Sequence, residues 1–157
     1  MSGRIYTESK LGKGKTFFVE PTYQLVMIVK ELIKRILVVE DEPAICELCR
    51  RVLTTEGFEI DIAVDGKLAQ DMLDEKDYAL CLIDIRIPVM NGKQLYQVIV
   101  GKHQKLAEGV IFTTGETADE HTKHFLEVAG RPFLFKPFTP DELKAIVRET
   151  LRQIKDD

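Results

Sequence analysis

The chain has 157 residues, 45% hydrophobic and 31% charged, enough for one domain with a real core and some excess length. Its 22 basic and 26 acidic residues leave a formal charge of -4, so the surface offers no electrostatic footprint for nucleic acid and no such partner is expected. The longest apolar run of the N-terminal region, Leu25 to Val29, falls far short of the ~20 residues of a membrane span, and no signal-peptide pattern precedes it. With an odd set of three cysteines, this predicts a cytoplasmic chain with reduced thiols and no direct membrane insertion.

Five strand-like runs succeed one another: 35–39 (RILVV), 59–64 (EIDIAV), 78–85 (YALCLIDI), 109–113 (GVIFT) and 133–135 (FLF). Several are almost wholly apolar, as strands covered on both faces of a parallel sheet must be. After the first, Pro43 suits the opening position of a helix, and Ile45, Leu48, Cys49, Val52 and Leu53 recur at helical spacing until Gly57 ends the run. After the last, Thr139-Pro140-Asp141-Glu142 reads as a capping box, followed by one stripe of Leu143, Ile146, Val147, Thr150, Leu151 and Ile154. Strand and helix alternate five times. The pattern predicts an α/β fold with a doubly wound five-stranded parallel sheet, right-handed crossovers, and a ligand site outside the carboxyl ends of the strands.

Four of those ends carry chemistry: Glu40-Asp41-Glu42, Asp84, Thr114 and Lys136. A nucleotide-binding fold would put glycines or hydroxyls after the first strand to cradle a phosphate; three carboxylates there repel one. Two like charges ~4 Å apart cost on the order of 4 kcal/mol at an effective dielectric near 20, so gathering Asp84 with them demands a cation. Hard carboxylate oxygens in an incomplete shell suit Mg²⁺, which keeps waters and accepts a substrate phosphate as a further ligand.

The stretch DIRIPVMNG from Asp84 to Gly92 closely resembles the phosphorylation loop of two-component response-regulator receiver domains. RILVVEDEP resembles that family's opening strand and acidic pair, Thr114 with the following Gly115 its switch hydroxyl, and Lys136-Pro137-Phe138 its closing Lys-Pro-Phe. The resemblance covers residues 34 to about 155. It implies a flavodoxin-like (βα)5 receiver fold with strand order 2-1-3-4-5, and a phosphoacceptor in a phosphorelay rather than an enzyme. Asp84 would take phosphate from the phosphohistidine of a histidine kinase or histidine phosphotransfer protein. Asp41 would bind Mg²⁺ directly and Glu40 through water, Arg86 would lend its backbone carbonyl to the metal, and Lys136 would hold a phosphoryl oxygen. Thr114 would bond the new phosphoryl group while Phe133, in the switch-aromatic position, turns inward.

Two departures matter. The leading acid is Glu40, where aspartate is the commoner choice. Arg86 and Glu116 occupy positions two beyond Asp84 and Thr114, where paired side chains would shield the phosphoryl group from water. Residues 1–22 resemble something else: SGRIYTESKLGKGKTFFVEP is similar to the last stretch of a histidine-kinase ATP-binding domain, with an imperfect second glycine box. GKGKT is no P-loop, because Ser9 stands where that motif needs glycine. The chain lacks the remaining nucleotide boxes and a phospho-accepting histidine helix. The implied arrangement is a kinase remnant, a linker over 23–33 whose apolar Tyr23 to Val29 forms a strand or helix or promotes self-association, and a receiver over 34–155 from a hybrid histidine kinase. With the chain stopping soon after the fifth helix, no output domain is expected.

Other features read as structural. Cys46 and Cys49 form a CxxC without a second pair to complete a zinc site, and Cys81 falls inside a strand. His121 and His124 lie three apart on a helix without a third ligand, and His103 reads as solvent-facing. A haloacid-dehalogenase type phosphotransferase would want a second acid two residues after its nucleophile, where Arg86 stands. The remaining rival is a pseudo-receiver, an interaction module that keeps the fold without phosphorylation; the intact site positions weigh against it.

Overall fold

The computed structural model describes residues 21–115 and 117–156. The chain divides after Lys34. The stretch resembling a kinase domain lies outside the described residues up to position 20; helix α1, Pro21–Leu32, overlaps most of the 23–33 segment expected as a linker, with Tyr23, Leu25 and Val26 exposed.

The second unit runs β1 (Arg35–Val39), α2 (Pro43–Thr55), β2 (Glu59–Ala63), α3 (Gly66–Glu75), β3 (Leu80–Asp84), α4 (Gly92–Lys102), α5 (Gln104–Ala107), β4 (Val110–Gly115), α6 (Glu120–Ala129), β5 (Phe133–Lys136) and α7 (Pro140–Asp156). All strand pairs are parallel, in the order β2-β1-β3-β4-β5. The order predicted from the resemblance is the one observed. Two boundaries move by two residues, and four others by one. The third strand starts at Leu80 rather than position 78, because Tyr78 turns to donate its hydroxyl to Asp61 (2.7 Å). The fourth runs on to Gly115, which brings Thr114 into register with Phe135 on the neighbouring strand.

Successive side chains of a strand point to opposite faces, so each strand feeds two cores. Leu37, Val39, Ile83 and Phe112 pack on one face with Leu73 of α3, Leu95 and Ile99 of α4 and Leu126 of α6. Ile36, Val38, Leu82 and Ile111 pack on the other with Leu53 of α2 and Leu143 and Val147 of α7. Each fully buried side chain of this kind contributes roughly 1.5–3 kcal/mol relative to exposure, which is why the inner strands read as continuous apolar runs.

Local signals set the helix ends near the site. Thr139 Oγ1 accepts the Glu142 N–H (3.1 Å) and Glu142 Oε1 accepts the Thr139 N–H (2.9 Å), the capping box expected for α7. Asn91 and Gln94 make the same reciprocal pair at the start of α4. Gly92 follows Asn91 because nothing larger fits: a Cβ there would lie 2.7 Å from Ile85 Cα and 2.8 Å from the Asp84 carbonyl oxygen. Its N–H donates to the Ile85 carbonyl (3.0 Å), closing the loop after β3.

Candidate functional site

The carboxyl ends of β1, β3 and β5 converge on one cluster. Glu40, one residue past β1, is buried; its Oε2 accepts the N–H groups of Asp41 and Glu42, both at 3.1 Å. Asp84, the last residue of β3, is also buried; its Oδ1 accepts the Arg86 N–H (3.0 Å) and its Oδ2 lies 2.8 Å from Lys136 Nζ. Lys136, ending β5, places the same ammonium 2.8 Å from Glu40 Oε1 and 3.2 Å from Glu42 Oε1. Residues 40, 84 and 136, far apart in sequence, are therefore direct neighbours.

Four carboxylates against one ammonium leave this edge over-negative. Burial pushes the Glu40 carboxyl up to about 7, with the Asp84 charge adding to the rise and the Lys136 hydrogen bond opposing it. Burial also acts against the Lys136 ammonium, but hydrogen bonds to Asp84 and Glu40 outweigh it and hold the group above its ordinary value. The lysine therefore stays charged while its acidic neighbours compete for it.

One oxygen each from Glu40, Asp41 and Asp84 lies within 4.8 Å of the others. Octahedral Mg²⁺, with bonds near 2.1 Å, spaces adjacent ligands about 3 Å apart. The three acids are thus close enough to share one such ion, directly or through its waters. The all-oxygen chemistry and the unbalanced charge both suit a hard divalent cation.

The other expected residues fall as follows. Thr114 is buried on β4 with no hydrogen bond to Asp84 or Lys136 among the described residues. Phe133 is 40% exposed on β5, edge-on to Phe135 at 5.4 Å between ring centroids. The Arg86 side chain is exposed; Glu116, its expected partner, lies outside the described residues. His103 is a correction: it joins α4 to α5 and turns inward, its side chain 22% exposed and its Nε2 3.3 Å from Asp74 Oδ1 of α3. His121 and His124 are exposed on α6. All three cysteines are free. Burial pushes the Cys49 thiol up to about 12 and raises that of Cys81, and burial with the charges of Glu40 and Asp41 raises Cys46. Raised in this way, the thiols favour their protonated, weakly nucleophilic form.

Sequence reasoning missed three contacts. Glu42 pairs with Lys136, the Arg86 N–H bonds Asp84, and Cys46 Sγ donates to the Glu40 carbonyl (3.3 Å). The signal for the first was present: Glu42 is the third acid of a run placed at a strand end. No helix among the described residues is long and apolar enough to cross a membrane.

Comparison with known proteins agrees with this geometry. The family profile described as "Response regulator receiver domain" matches residues 36–148. The DNA-binding response regulator MtrA of Mycolicibacterium smegmatis is 33% identical over 124 residues, covering 79% of this chain and 53% of that protein. The chain thus spans about half the length of the curated relatives it matches, and the expectation of no nucleic-acid partner rests on its own charge alone. A CheY-like receiver domain protein from Methanospirillum hungatei JF-1 superposes with a TM-score of 0.73 at 28% identity, over 79% of this chain and 98% of that one. The receiver domain of the sensor histidine kinase PA1611 from Pseudomonas aeruginosa PAO1, solved with a magnesium ion in its active-site cleft, gives 0.68 at 25%, over 76% and 98%. The chain belongs to the response-regulator receiver family, the signalling phosphoacceptor domains of two-component systems.

Proposed function

We propose that Asp84 is the phosphoacceptor and that Mg²⁺ is held by Asp41 and Asp84 directly, by Glu40 through water, and by the Arg86 carbonyl. The observation that carries this reading is the buried Asp84 carboxylate, fixed by the Arg86 N–H and the Lys136 ammonium beside Glu40 and Asp41. When bound, the cation would neutralise the carboxylates and the charge developing on the transferred group. The protein's own residues supply the rest. An Asp84 oxygen attacks the phosphorus of a phosphohistidine, the P–N bond breaks, and the imidazole leaves with its electron pair. Lys136 moves its hydrogen bond from Asp84 Oδ2 to a phosphoryl oxygen. Thr114 then bonds the phosphoryl group, and Phe133 moves inward from its exposed position.

The partner is a histidine kinase or a histidine phosphotransfer protein, and the compartment is the cytoplasm. The likeness of residues 1–22 to a kinase ATP-binding domain, and the receiver of a sensor histidine kinase among the structural neighbours, support a hybrid-kinase origin. The test is incubation with acetyl phosphate with and without Mg²⁺, read by intact mass. A Mg²⁺-dependent, hydroxylamine-labile phosphate is expected on the parent protein and absent from Asp84→Asn. A folded parent that gains no phosphate and binds no Mg²⁺ would instead be a phosphorylation-independent interaction module.

A further inference from the structure

We propose that the Thr113 hydroxyl is a further catalytic group of this site, held without a partner in the unphosphorylated protein and donating to an Asp84 oxygen as the phosphoryl group arrives. The inference rests on the reading of Asp84 as phosphoacceptor and of Lys136 as the group that changes partner. Two buried side-chain polar atoms lack a hydrogen bond among the described residues, Thr113 Oγ1 and His103 Nε2. The histidine nitrogen at least faces Asp74 Oδ1 at 3.3 Å. Thr113, 2% exposed on β4, has no such counterpart among the described residues.

Thr113 pairs in register with Asp84 on β3 and with Leu134 on β5, and the Ile85 N–H donates to its carbonyl at 3.1 Å, locking the two strand ends together. In-register residues of parallel strands share a face, and the strands lie about 4.8 Å apart, so the hydroxyl stands one side-chain rotation from the Asp84 carboxylate. Its other surroundings are apolar: Ile111 and Leu82, two residues before Thr113 and Asp84, belong to the core under α2 and α7. Valine has the shape of threonine and would fill this place without stranding a polar atom, so the hydroxyl costs stability in the unphosphorylated protein. Phosphoryl transfer supplies the missing partner. Asp84 Oδ2 accepts from Lys136 at 2.8 Å and Oδ1 from the Arg86 N–H at 3.0 Å. As Lys136 carries its N–H to the phosphoryl group, Oδ2 loses that donor and the Thr113 O–H replaces it, keeping its own proton throughout. A hydrogen bond absent before transfer and made during it accelerates the transfer.

Two substitutions separate the hydroxyl from the packing. Thr113→Val removes the hydroxyl at nearly constant shape, and Thr113→Ser keeps it. Adduct formation from acetyl phosphate at saturating Mg²⁺ is followed by intact mass, with a thermal melt of each metal-free protein. Thr113→Val should melt higher than the parent yet take phosphate about three- to tenfold more slowly, the worth of one hydrogen bond, while Thr113→Ser stays near the parent rate. Damaged packing would lower stability and rate together, so the opposite signs report the hydroxyl itself. Unchanged uptake in Thr113→Val, or equal slowing in both variants, would overturn the proposal. So would a Thr113→Val protein that melts lower, because the hydroxyl would then already have a partner before phosphorylation. A parent protein that takes no phosphate overturns the phosphoacceptor reading itself, and this inference with it.

Discussion

The two ends of the sheet treat charge in opposite ways. At the amino ends, Arg35 meets Glu59 at 2.6 Å and Asp61 at 3.8 Å, Lys76 meets Asp61 at 3.3 Å, and the Tyr78 hydroxyl donates to Asp61 at 2.7 Å. Two cations face two acids, and each of these charges has an opposite partner within the protein. At the carboxyl ends, Glu40, Glu42 and Asp84 share the ammonium of Lys136, and Asp41 adds a further carboxylate beside Glu40 and Asp84. Balanced charge fastens a structure, whereas unbalanced buried charge keeps a place for something the chain does not supply.

The sharpest way to break this comparison is Lys136→Ala. It leaves two buried carboxylates without a counter-charge, which should cost about 3 kcal/mol in metal-free protein. Added Mg²⁺ should recover most of it, as read by urea unfolding with and without the metal. A loss that Mg²⁺ does not narrow would mean that the lysine, not the metal, balances the site. A second test uses pH. Glu40 titrates near 7, so proton and metal compete there, and Mg²⁺ affinity measured calorimetrically should fall about tenfold from pH 8 to pH 6.

The opposite end gives the smallest effect. At Asp61 burial raises the carboxyl, but hydrogen bonds from Tyr78 and Lys76 outweigh it and hold it below its ordinary value. A depressed folded value means the contribution is present above the unfolded value, near 4, and is lost as pH falls through the folded one. Asp61→Asn should therefore cost about 1 kcal/mol at pH 7, and its stability should converge with the parent's in acid. An equal deficit at pH 3 would assign the loss to packing.

Much of this was legible in the sequence, and the reasons differ by element. β1, β3 and β4 are buried on both faces, so their apolar runs announced them, and capping residues such as Thr139 and Glu142 marked a helix start within one residue. Glu40, Asp84 and Lys136 were readable because a parallel sheet gathers strand ends. The inward turn of His103 and the grip of Glu42 on Lys136 were not. Both depend on which of several reachable partners a flexible side chain meets across the fold, and neither leaves a periodic trace.

One residue of the loop that follows β3 runs against its own preference. Val89 has φ 69°, with the Met90 N–H donating across it to the Pro88 carbonyl at 2.8 Å, a γ-turn of the strained kind. Left-handed backbone costs a residue with a Cβ roughly 1–2 kcal/mol, and a β-branched one has the least freedom to adapt. The conformation is held from both sides, by the Gly66 N–H on the Pro88 carbonyl (3.3 Å) and by the Gly92 closure. The side chain itself, 80% exposed, gives little packing in return. In evolutionary terms position 89 is an open door: drift to glycine or asparagine would relax the turn without disturbing the core. A lineage or a design that passed through it would carry a slacker loop behind Asp84.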